Sequence, residues 1–216
     1  MAGLADGEWN TGNAMDDIAE RMSNPVTIRV WSEIAPAERQ QFRGDLETVC
    51  LEAANRKTFA STAEQDAFLH LWIGHYLEQS PDLAFVAISG GQATGYLVAT
   101  NADPRCEPTF EDLTYFAGLE PQLSIYPAHL HINVAEQARG RAVGAALIAT
   151  ASDALAARGC PGVHVVTGEG ARNVGFYLRN GFEPAVSLAW RDRKLVVLGR
   201  LLRDESSKYD KPSLII

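Results

Sequence analysis

The feature that most constrains the fold is a strand, a turn of small residues and a long helix in direct succession. Residues 128–134, "AHLHINV", alternate between apolar and polar side chains, which predicts a β-strand. The stretch "EQARGRAVGAALI" over 136–148 leads into a helix that we predict to end at Gly159. Residues 162–168, "GVHVVTG", predict a buried strand. Two strands joined through a helix form a parallel pair with a right-handed crossover, so the chain is expected to be an α/β protein.

The rest of the chain adds strands and helices around this unit. We predict further strands over 26–31, 83–89, 92–100, 182–190 and 194–202, and further helices over 35–55, 62–80 and 170–181. The resulting order, β-α-α-β-β-loop-β-α-β-α-β-β, indicates a mixed sheet with helices on both faces.

Three segments fall outside this pattern. Residues 1–24 have weak periodicity and many Gly, Asn and Asp, which predicts an N-terminal extension, and residues 204–216 predict a tail. The domain between them is expected to span 25–203. Residues 101–127 contain four prolines and a short predicted helix, "TFEDLTYFAGL", over 109–119. A long irregular connection of this kind is expected to shape a substrate pocket.

Composition narrows the classes of partner and the compartment. The formal net charge of −8 argues against nucleic acid as a partner, because phosphate binding requires clustered Lys and Arg. No stretch has the length of a membrane span and the N-terminus lacks the pattern of a signal peptide, so we expect a cytoplasmic protein without a membrane partner. Three cysteines without metal-type spacing indicate free thiols and no metal site.

The turn before the long helix predicts an anion site. The first amides of a helix have no intrahelical partners, and the helix dipole favours negative charge there. Gly140 and Gly144 leave backbone uncovered, and Arg139 and Arg141 add positive charge, which suits a pyrophosphate. Neither a Gly-Lys-Ser/Thr loop nor a GxGxxG fingerprint is present. The alternative is that the glycines serve helix packing and the arginines are solvated.

Two motifs make the chain resemble the GNAT family of acyl-CoA-dependent N-acetyltransferases. The run Arg139-Gly140-Arg141-Ala142-Val143-Gly144 is similar to that family's Arg/Gln-x-x-Gly-x-Gly/Ala motif, with Ala142 replacing the first motif glycine. Alanine suits this position if its φ is negative, whereas a position that needs positive φ would hold alanine under strain. The second motif is "RNVGFYLRNGF", which contains Asn173, Tyr177, Gly181 and Phe182.

A narrower resemblance leaves the activity open. The stretches "FVAISGGQATGYLVATNADP" and "IYPAHLHINV" look like the acetyltransferase-like domain of bacterial proteins related to the C-terminal domain of O-GlcNAcase. This group leaves open an acyl-CoA-binding module without catalytic activity. A structural or interaction protein on the same fold, without CoA, is a further alternative.

The GNAT resemblance implies a fold, a reaction and a set of binding residues. The fold is a mixed, mostly antiparallel sheet flanked by helices, with a central β-α-β unit that binds CoA. The reaction is direct transfer of acetyl from acetyl-CoA to an amine, with no metal. The implied CoA-binding residues are Arg139, Gly140, Arg141, Ala142, Val143, Gly144 and Ala145 for the pyrophosphate, Ile132, Asn133 and Val134 for the pantetheine and thioester carbonyl, and Asn173 for the pantetheine. The acceptor, whether a small amine, a peptide or an amino sugar, is not determined, and homodimer formation is left open.

Tyr177 and His131 are the catalytic candidates. Tyr177 follows Asn173 by four residues, so both lie on one helix face, and the resemblance implies that Tyr177 protonates the leaving thiolate. The alternative for Tyr177 is an aromatic core residue. His131 shares a strand face with His129 and Asn133 and has the intrinsic pKa of a general base. The alternative for His131 is a buried, hydrogen-bonded structural residue.

Other titratable residues are secondary at this point. Asp103 and Glu107, in the long loop, are further base candidates. His70, His75 and His164 lie on predicted core or surface elements and are assigned no role.

Overall fold

The computed structural model describes residues 24–202, which contain seven strands and six α-helices. The strands are β1 (Thr27–Val30), β2 (Ala84–Ser89), β3 (Gln92–Thr100), β4 (Ala128–Val134), β5 (Gly162–Gly168), β6 (Glu183–Trp190) and β7 (Arg193–Leu201). The helices are α1 (Pro36–Ala53), α2 (Thr62–Leu69), α3 (His75–Gln79), α4 (Glu120–Ile125), α5 (Val143–Ala156) and α6 (Val174–Arg179). Apart from Asn24, the predicted extension at 1–24 and tail at 204–216 lie outside the described residues.

All seven strands form one sheet in the order β1-β2-β3-β4-β5-β7-β6. Every neighbouring pair is antiparallel except β4 and β5, which are joined through α5 and run parallel. The prediction of a mixed, mostly antiparallel sheet with a central β-α-β unit is therefore confirmed. Strand β7 pairs with both β5 and β6, so the last two strands reach the sheet in reverse chain order.

The parallel pair β4 and β5 separates after two residues of pairing. Ala128 lies opposite Val163 and His129 opposite His164, and no further register pair joins the two strands. Both strands nevertheless continue, because β4 pairs with β3 as far as Val134 and β5 pairs with β7 to its end. The sheet thus contains a wedge-shaped gap between β4 and β5, and the backbone groups that face this gap have no sheet partner within residues 24–202.

Each face of the sheet has its own hydrophobic cluster. Along β3, Tyr96 and Val98 pack in a cluster with α1, whereas Leu97 and Ala99 pack in the other cluster with α5. This separation follows from the alternation of side chains along a strand. Fully buried side chains such as Leu97 each contribute about 1.5–3 kcal/mol, so the two helical layers hold the central strands firmly.

The predicted helix over 62–80 is interrupted. Between α2 and α3 the backbone forms a π-helical turn, His70–Gly74, in which the amide of His75 donates to the carbonyl of His70. This wider turn carries Trp72, whose ring lies 4.9 Å from the ring of His131. π-helical turns are often found at functional sites. No helix within residues 24–202 is long and apolar enough to cross a bilayer.

The segment between β3 and β4 differs from its prediction. The expected helix over 109–119 is two 3₁₀ turns, Pro108–Phe110 and Thr114–Gly118, and α4 follows them. Phe110 and Phe116 are both buried, so tertiary packing of these rings sets the local backbone more strongly than helical periodicity does.

Candidate active site

A cavity of about 610 Å³ extends into the gap between β4 and β5. Its walls come from the end of α1, the π-helical turn, the segment before β4, both diverging strands and α6. Ten of its described lining residues carry aromatic rings or imidazoles, namely Phe68, Trp72, Tyr76, Phe110, Tyr115, Phe116, His129, His131, His164 and Tyr177. Among the residues that the structure describes, Arg56 and Arg193 are the charged residues that line the cavity, and no acidic residue lines it.

The segment 101–127 contributes one wall of this cavity. Phe110, Leu113, Tyr115 and Phe116 all line it, in the position expected of a pocket-forming connection. That this wall contacts an acceptor stays a prediction.

The structure does not bring the two loop carboxylates into the cavity wall. Asp103 is held by the guanidinium of Arg105, with a shortest distance of 2.7 Å, and this pairing lowers the pKa of Asp103. Glu107 lies 3.7 Å from Nε2 of His75. Neither carboxylate lines the cavity, so neither is well placed to act on a group bound there.

The turn before α5 has the backbone of an anion site. Gly140 has a φ of +76°, and a Cβ at this position would contact nothing within 4 Å. The amides of residues 140–145 donate to no backbone acceptor in the described part of the chain. Nε of Arg139 donates to the carbonyl of Val134 at 3.0 Å, and Nη2 of Arg141 donates to that of Asn24 at 3.2 Å. The turn therefore combines donors with two fixed guanidinium groups, as an anion requires.

Gly144 has a different reason to be glycine. A Cβ there would lie 2.9 Å from the ring of Phe176 on α6. Helix packing therefore explains Gly144, whereas the left-handed backbone explains Gly140.

Ala142 is strained rather than relaxed. Its φ is +59° and its ψ is 7°, which is the left-handed region, so the condition of negative φ under which alanine would suit this position is not met. A left-handed conformation costs an L-residue roughly 1–2 kcal/mol relative to glycine. Ala142 is the N-cap of α5, so this strain lies at the centre of the turn that is predicted to bind an anion.

Replacing Ala142 with glycine should therefore stabilise the protein. We expect Ala142→Gly to raise the free energy of unfolding by about 0.5–1 kcal/mol, because relief of left-handed strain outweighs the added chain entropy of glycine. Urea denaturation would measure this change. The control Ala149→Gly, at an exposed position inside α5, should lower the same free energy by about 1 kcal/mol. Equal destabilisation by both variants would contradict the strain at Ala142.

The residues predicted to bind pantetheine lie on the two sides of the gap. Ile132, Asn133 and Val134 occupy the part of β4 beyond its pairing with β5. Oδ1 of Asn173 accepts a hydrogen bond from Thr167 at 2.9 Å, and its side chain makes no N-cap bond to α6. The Asn173 amide is thus held by its oxygen, and its NH₂ group is available as a donor.

Tyr177 combines core packing with access to the cavity. Its ring centroid lies 5.3 Å from that of Phe176 and 5.4 Å from that of Phe182, and only 6% of the residue is exposed. The residue also lines the cavity. Burial raises the pKa of Tyr177 above its usual value, so the hydroxyl keeps its proton at neutral pH.

His131 lies in the cavity wall within a hydrogen-bonded chain. Nδ2 of Asn133 donates to the hydroxyl of Tyr96 at 2.8 Å, and this hydroxyl lies 3.3 Å from Nδ1 of His131. Removal from bulk water lowers the pKa of His131 to about 4, against the opposing effect of the Trp72 carbonyl. The ring is therefore neutral at pH 7 and a weak base. This geometry favours the structural alternative, and the catalytic role of His131 stays a prediction.

Three cavity residues were not singled out from the sequence. Trp72 comes from the π-helical turn, and His129 and His164 lie side by side where β4 and β5 separate. The alternation of β4 does place His129 on the same face as His131. Nothing local marks His164, because its position beside His129 depends on the register of the parallel pair.

Comparisons with known proteins bear on this geometry. Residues 80–184 match the family model described as the acetyltransferase (GNAT) domain. A crystal structure of SsHAT shares 26% sequence identity, with 82% of this chain and 98% of that chain covered and a TM-score of 0.65. A polyamine N-acetyltransferase from Drosophila melanogaster shares 15% identity over 82% of this chain and 100% of that chain, with a TM-score of 0.59. A chain of the NatC complex bound to Gag peptide and CoA shares 13% identity, with 82% and 99% covered and a TM-score of 0.56.

The second and third of these structures support the fold, and the family match supports the enzyme class. Residues 80–184 include β4, the predicted anion-binding turn, Asn173 and Tyr177, so the match covers the predicted site. The prediction that the protein is an acetyltransferase enzyme is therefore confirmed. Residues 80–184 of the chain are therefore similar to a GNAT acetyltransferase domain.

Proposed function

We propose that this protein is an acetyl-CoA-dependent N-acetyltransferase that transfers acetyl directly to an amine. The observation that carries the proposal is the gap between β4 and β5, which has the donor-rich turn of residues 140–145 at one end and Asn173 and Tyr177 at its side. GNAT domains use acetyl-CoA. We also propose that residues 25–203 form one domain, that the protein is cytoplasmic, and that it has no nucleic-acid, membrane or metal partner. The proposal is compatible with a homodimer.

The residues around the gap fit the parts of acetyl-CoA. The amides of residues 140–145 would hold the pyrophosphate, with Arg139 and Arg141 adding charge, whereas the amide of Arg139, which was also predicted to contribute, donates to the carbonyl of Glu136. The backbone of Ile132, Asn133 and Val134 would bind the pantetheine arm, and the NH₂ group of Asn173 would donate to it from the opposite side.

The same residues suggest a division of the chemistry. Unpaired backbone amides of β4 would polarise the thioester carbonyl and stabilise the oxyanion formed when the amine attacks. Collapse of this intermediate releases CoA as a thiolate, and the Tyr177 hydroxyl would supply its proton. His131 is the candidate to receive the amine proton, directly or through water. It is neutral at pH 7 and so able to accept a proton, although its low pKa makes it a weak base.

A charge reversal in the turn tests the CoA site. Gly140→Asp should weaken CoA binding at least about tenfold, because a carboxylate would repel the pyrophosphate and block its approach to the amides. Isothermal titration calorimetry with CoA would measure the effect. Arg139→Glu should weaken binding in the same direction.

A matched glycine controls for backbone strain in this test. Gly159 also has a left-handed φ, +73°, and open space around it, and it lies at the far end of α5, roughly 20 Å away. Gly159→Asp should leave CoA affinity within about twofold of the wild type. Unchanged affinity in both Gly140→Asp and Arg139→Glu would refute the pyrophosphate assignment.

The second candidate function is an acyl-CoA-binding module without catalysis. Ala142 in the motif and the lack of an acidic residue among the described cavity residues favour it. The narrower resemblance to bacterial relatives of the O-GlcNAcase C-terminal domain belongs to this alternative. Release of free thiol from acetyl-CoA over a panel of amines separates the two, since a binding module would take up CoA without turnover.

A further inference from the structure

Two histidines lie buried at the apex of the gap, where β4 and β5 separate. His129 is 5% exposed and His164 is 1% exposed, and their ring centroids lie 5.7 Å apart. Nε2 of each ring is buried and finds no hydrogen-bond partner within residues 24–202. Both residues line the cavity. A buried polar atom left unpaired is costly, so a group that enters the cavity is expected to pair with these nitrogens.

The partners of the opposite ring nitrogens fix what each Nε2 offers. Nδ1 of His164 lies 2.7 Å from the carbonyl of Tyr126, so it carries the proton and leaves a lone pair on Nε2. The buried hydroxyl of Tyr76 lies 3.0 Å from Nδ1 of His129 and has no other described acceptor, so it donates there. His129 then carries its proton on Nε2. The apex thus presents one donor, on His129, beside one acceptor, on His164.

The surroundings of this pair disfavour a cation. Burial lowers the pKa of both rings, so both are neutral at pH 7. No described acidic residue lines the cavity to balance a positive charge, and the His129 N–H would point at an incoming ammonium. The part of the chain described here also holds no group of three or more His, Cys, Asp or Glu side chains suited to a metal ion.

A hydroxyl group fits the pair best. It can accept from Nε2 of His129 and donate to Nε2 of His164 at the same time, with no charge to compensate. The rings of Trp72, Tyr115 and Phe116 offer flat apolar surfaces for the body that carries such a group.

We propose, resting on the N-acetyltransferase function proposed above, that the acceptor is an amino alcohol whose hydroxyl bridges His129 and His164. The reacting amine lies nearer the thioester, and the hydroxyl is placed at the apex of the gap. Acceptors with a second ammonium at the same place, such as polyamines, are disfavoured because the apex has no carboxylate to receive the charge.

Three acceptors of equal length test this proposal without any substitution. Hexylamine, 5-aminopentanol and 1,5-diaminopentane end in a methyl, a hydroxyl and an ammonium group, and shorter and longer homologues cover other distances. We expect kcat/KM for the best amino alcohol to exceed that of its matched alkylamine and diamine by about tenfold, since two buried polar atoms gain partners only with the alcohol. Equal values across each trio, or a preference for the diamine, would overturn the proposal.

A variant locates the preference at the apex. In His164→Phe the ratio of amino alcohol to alkylamine should fall to near one while the alkylamine is still turned over. The control His70→Gln, which changes a histidine outside the cavity lining, should keep the wild-type ratio. A preference that persists in His164→Phe would place the hydroxyl elsewhere and reject the histidine pair.

A binding measurement keeps the inference distinct from the proposed activity. If no amine releases thiol, the catalytic proposal fails, and imidazole ¹⁵N NMR of the CoA-loaded protein decides the acceptor class. Addition of the amino alcohol should shift the Nε2 signals of both histidines, whereas hexylamine should leave them unchanged. Unchanged signals with every amino alcohol, or identical shifts with both ligands, would reject the proposal.

Discussion

Replacing Tyr177 with phenylalanine is expected to lower turnover by roughly 10–1000-fold while the fold and CoA affinity are retained. The ring would keep its contacts with Phe176 and Phe182, so only the hydroxyl would be lost. Because the pKa of this hydroxyl is raised by burial, it is a donor throughout the neutral range and can protonate a departing thiolate. Steady-state rates with the best acceptor, together with calorimetry of CoA binding, would measure the two effects separately.

A second tyrosine provides the control for this substitution. Tyr126 does not line the cavity, and Tyr126→Phe removes a hydroxyl without touching the proposed site. Its kcat should stay within about twofold of the wild type. Full wild-type turnover in Tyr177→Phe would return Tyr177 to a core role and leave protonation of the thiolate to water. A rise in KM alone would instead indicate a lost contact with substrate.

The sequence predicts the central unit accurately because its signals are local. The strands at 128–134 and 162–168 have the predicted bounds, since alternation and a short apolar run are properties of the residues themselves. The divergence of these strands after His129 and His164 is not local. It depends on β3 and β7 holding the two strands apart from either side, which one segment cannot encode.

The candidate site likewise combines features that local sequence predicts with features that depend on the tertiary structure. Gly140 was expected where the backbone must be bare, and it adopts positive φ. The sign of φ at Ala142 is not predictable from the sequence, because the conformation of a turn is set by the strand and helix that it joins. His164 was assigned no role, since its importance arises from a neighbour 35 positions earlier in the chain across a parallel register.

The π-helical turn at His70–Gly74 is a further feature that periodicity misses. Residues 62–80 read as one helix because apolar side chains recur at helical spacing over the whole stretch. One widened turn rotates all later side chains of the helix about its axis. Here the turn also carries the Trp72 ring that packs beside His131. The composition of the cavity wall is thus decided by a backbone irregularity together with long-range packing.

The cluster of neutral histidines predicts a marked loss of stability in acid. Burial lowers the pKa of His131 and of His164 to about 4, and that of His129 well below its usual value. The unfolded chain, with ordinary histidine pKa values near 6.5, therefore binds more protons than the folded chain in this range. Stability is complete above about pH 6.5 and is lost as the pH falls towards 4, by roughly 2 kcal/mol at pH 5 for each of His131 and His164.

Urea denaturation followed by circular dichroism at pH 7.5, 6 and 5 would measure this loss. We expect the free energy of unfolding to fall by at least about 4 kcal/mol between pH 7.5 and pH 5, a large part of the 5–15 kcal/mol typical of a folded protein. His131→Gln should flatten the dependence, because glutamine can still accept from the Tyr96 hydroxyl but does not titrate. Equal stability at pH 7.5 and pH 5 would show that these imidazoles are not held neutral by burial.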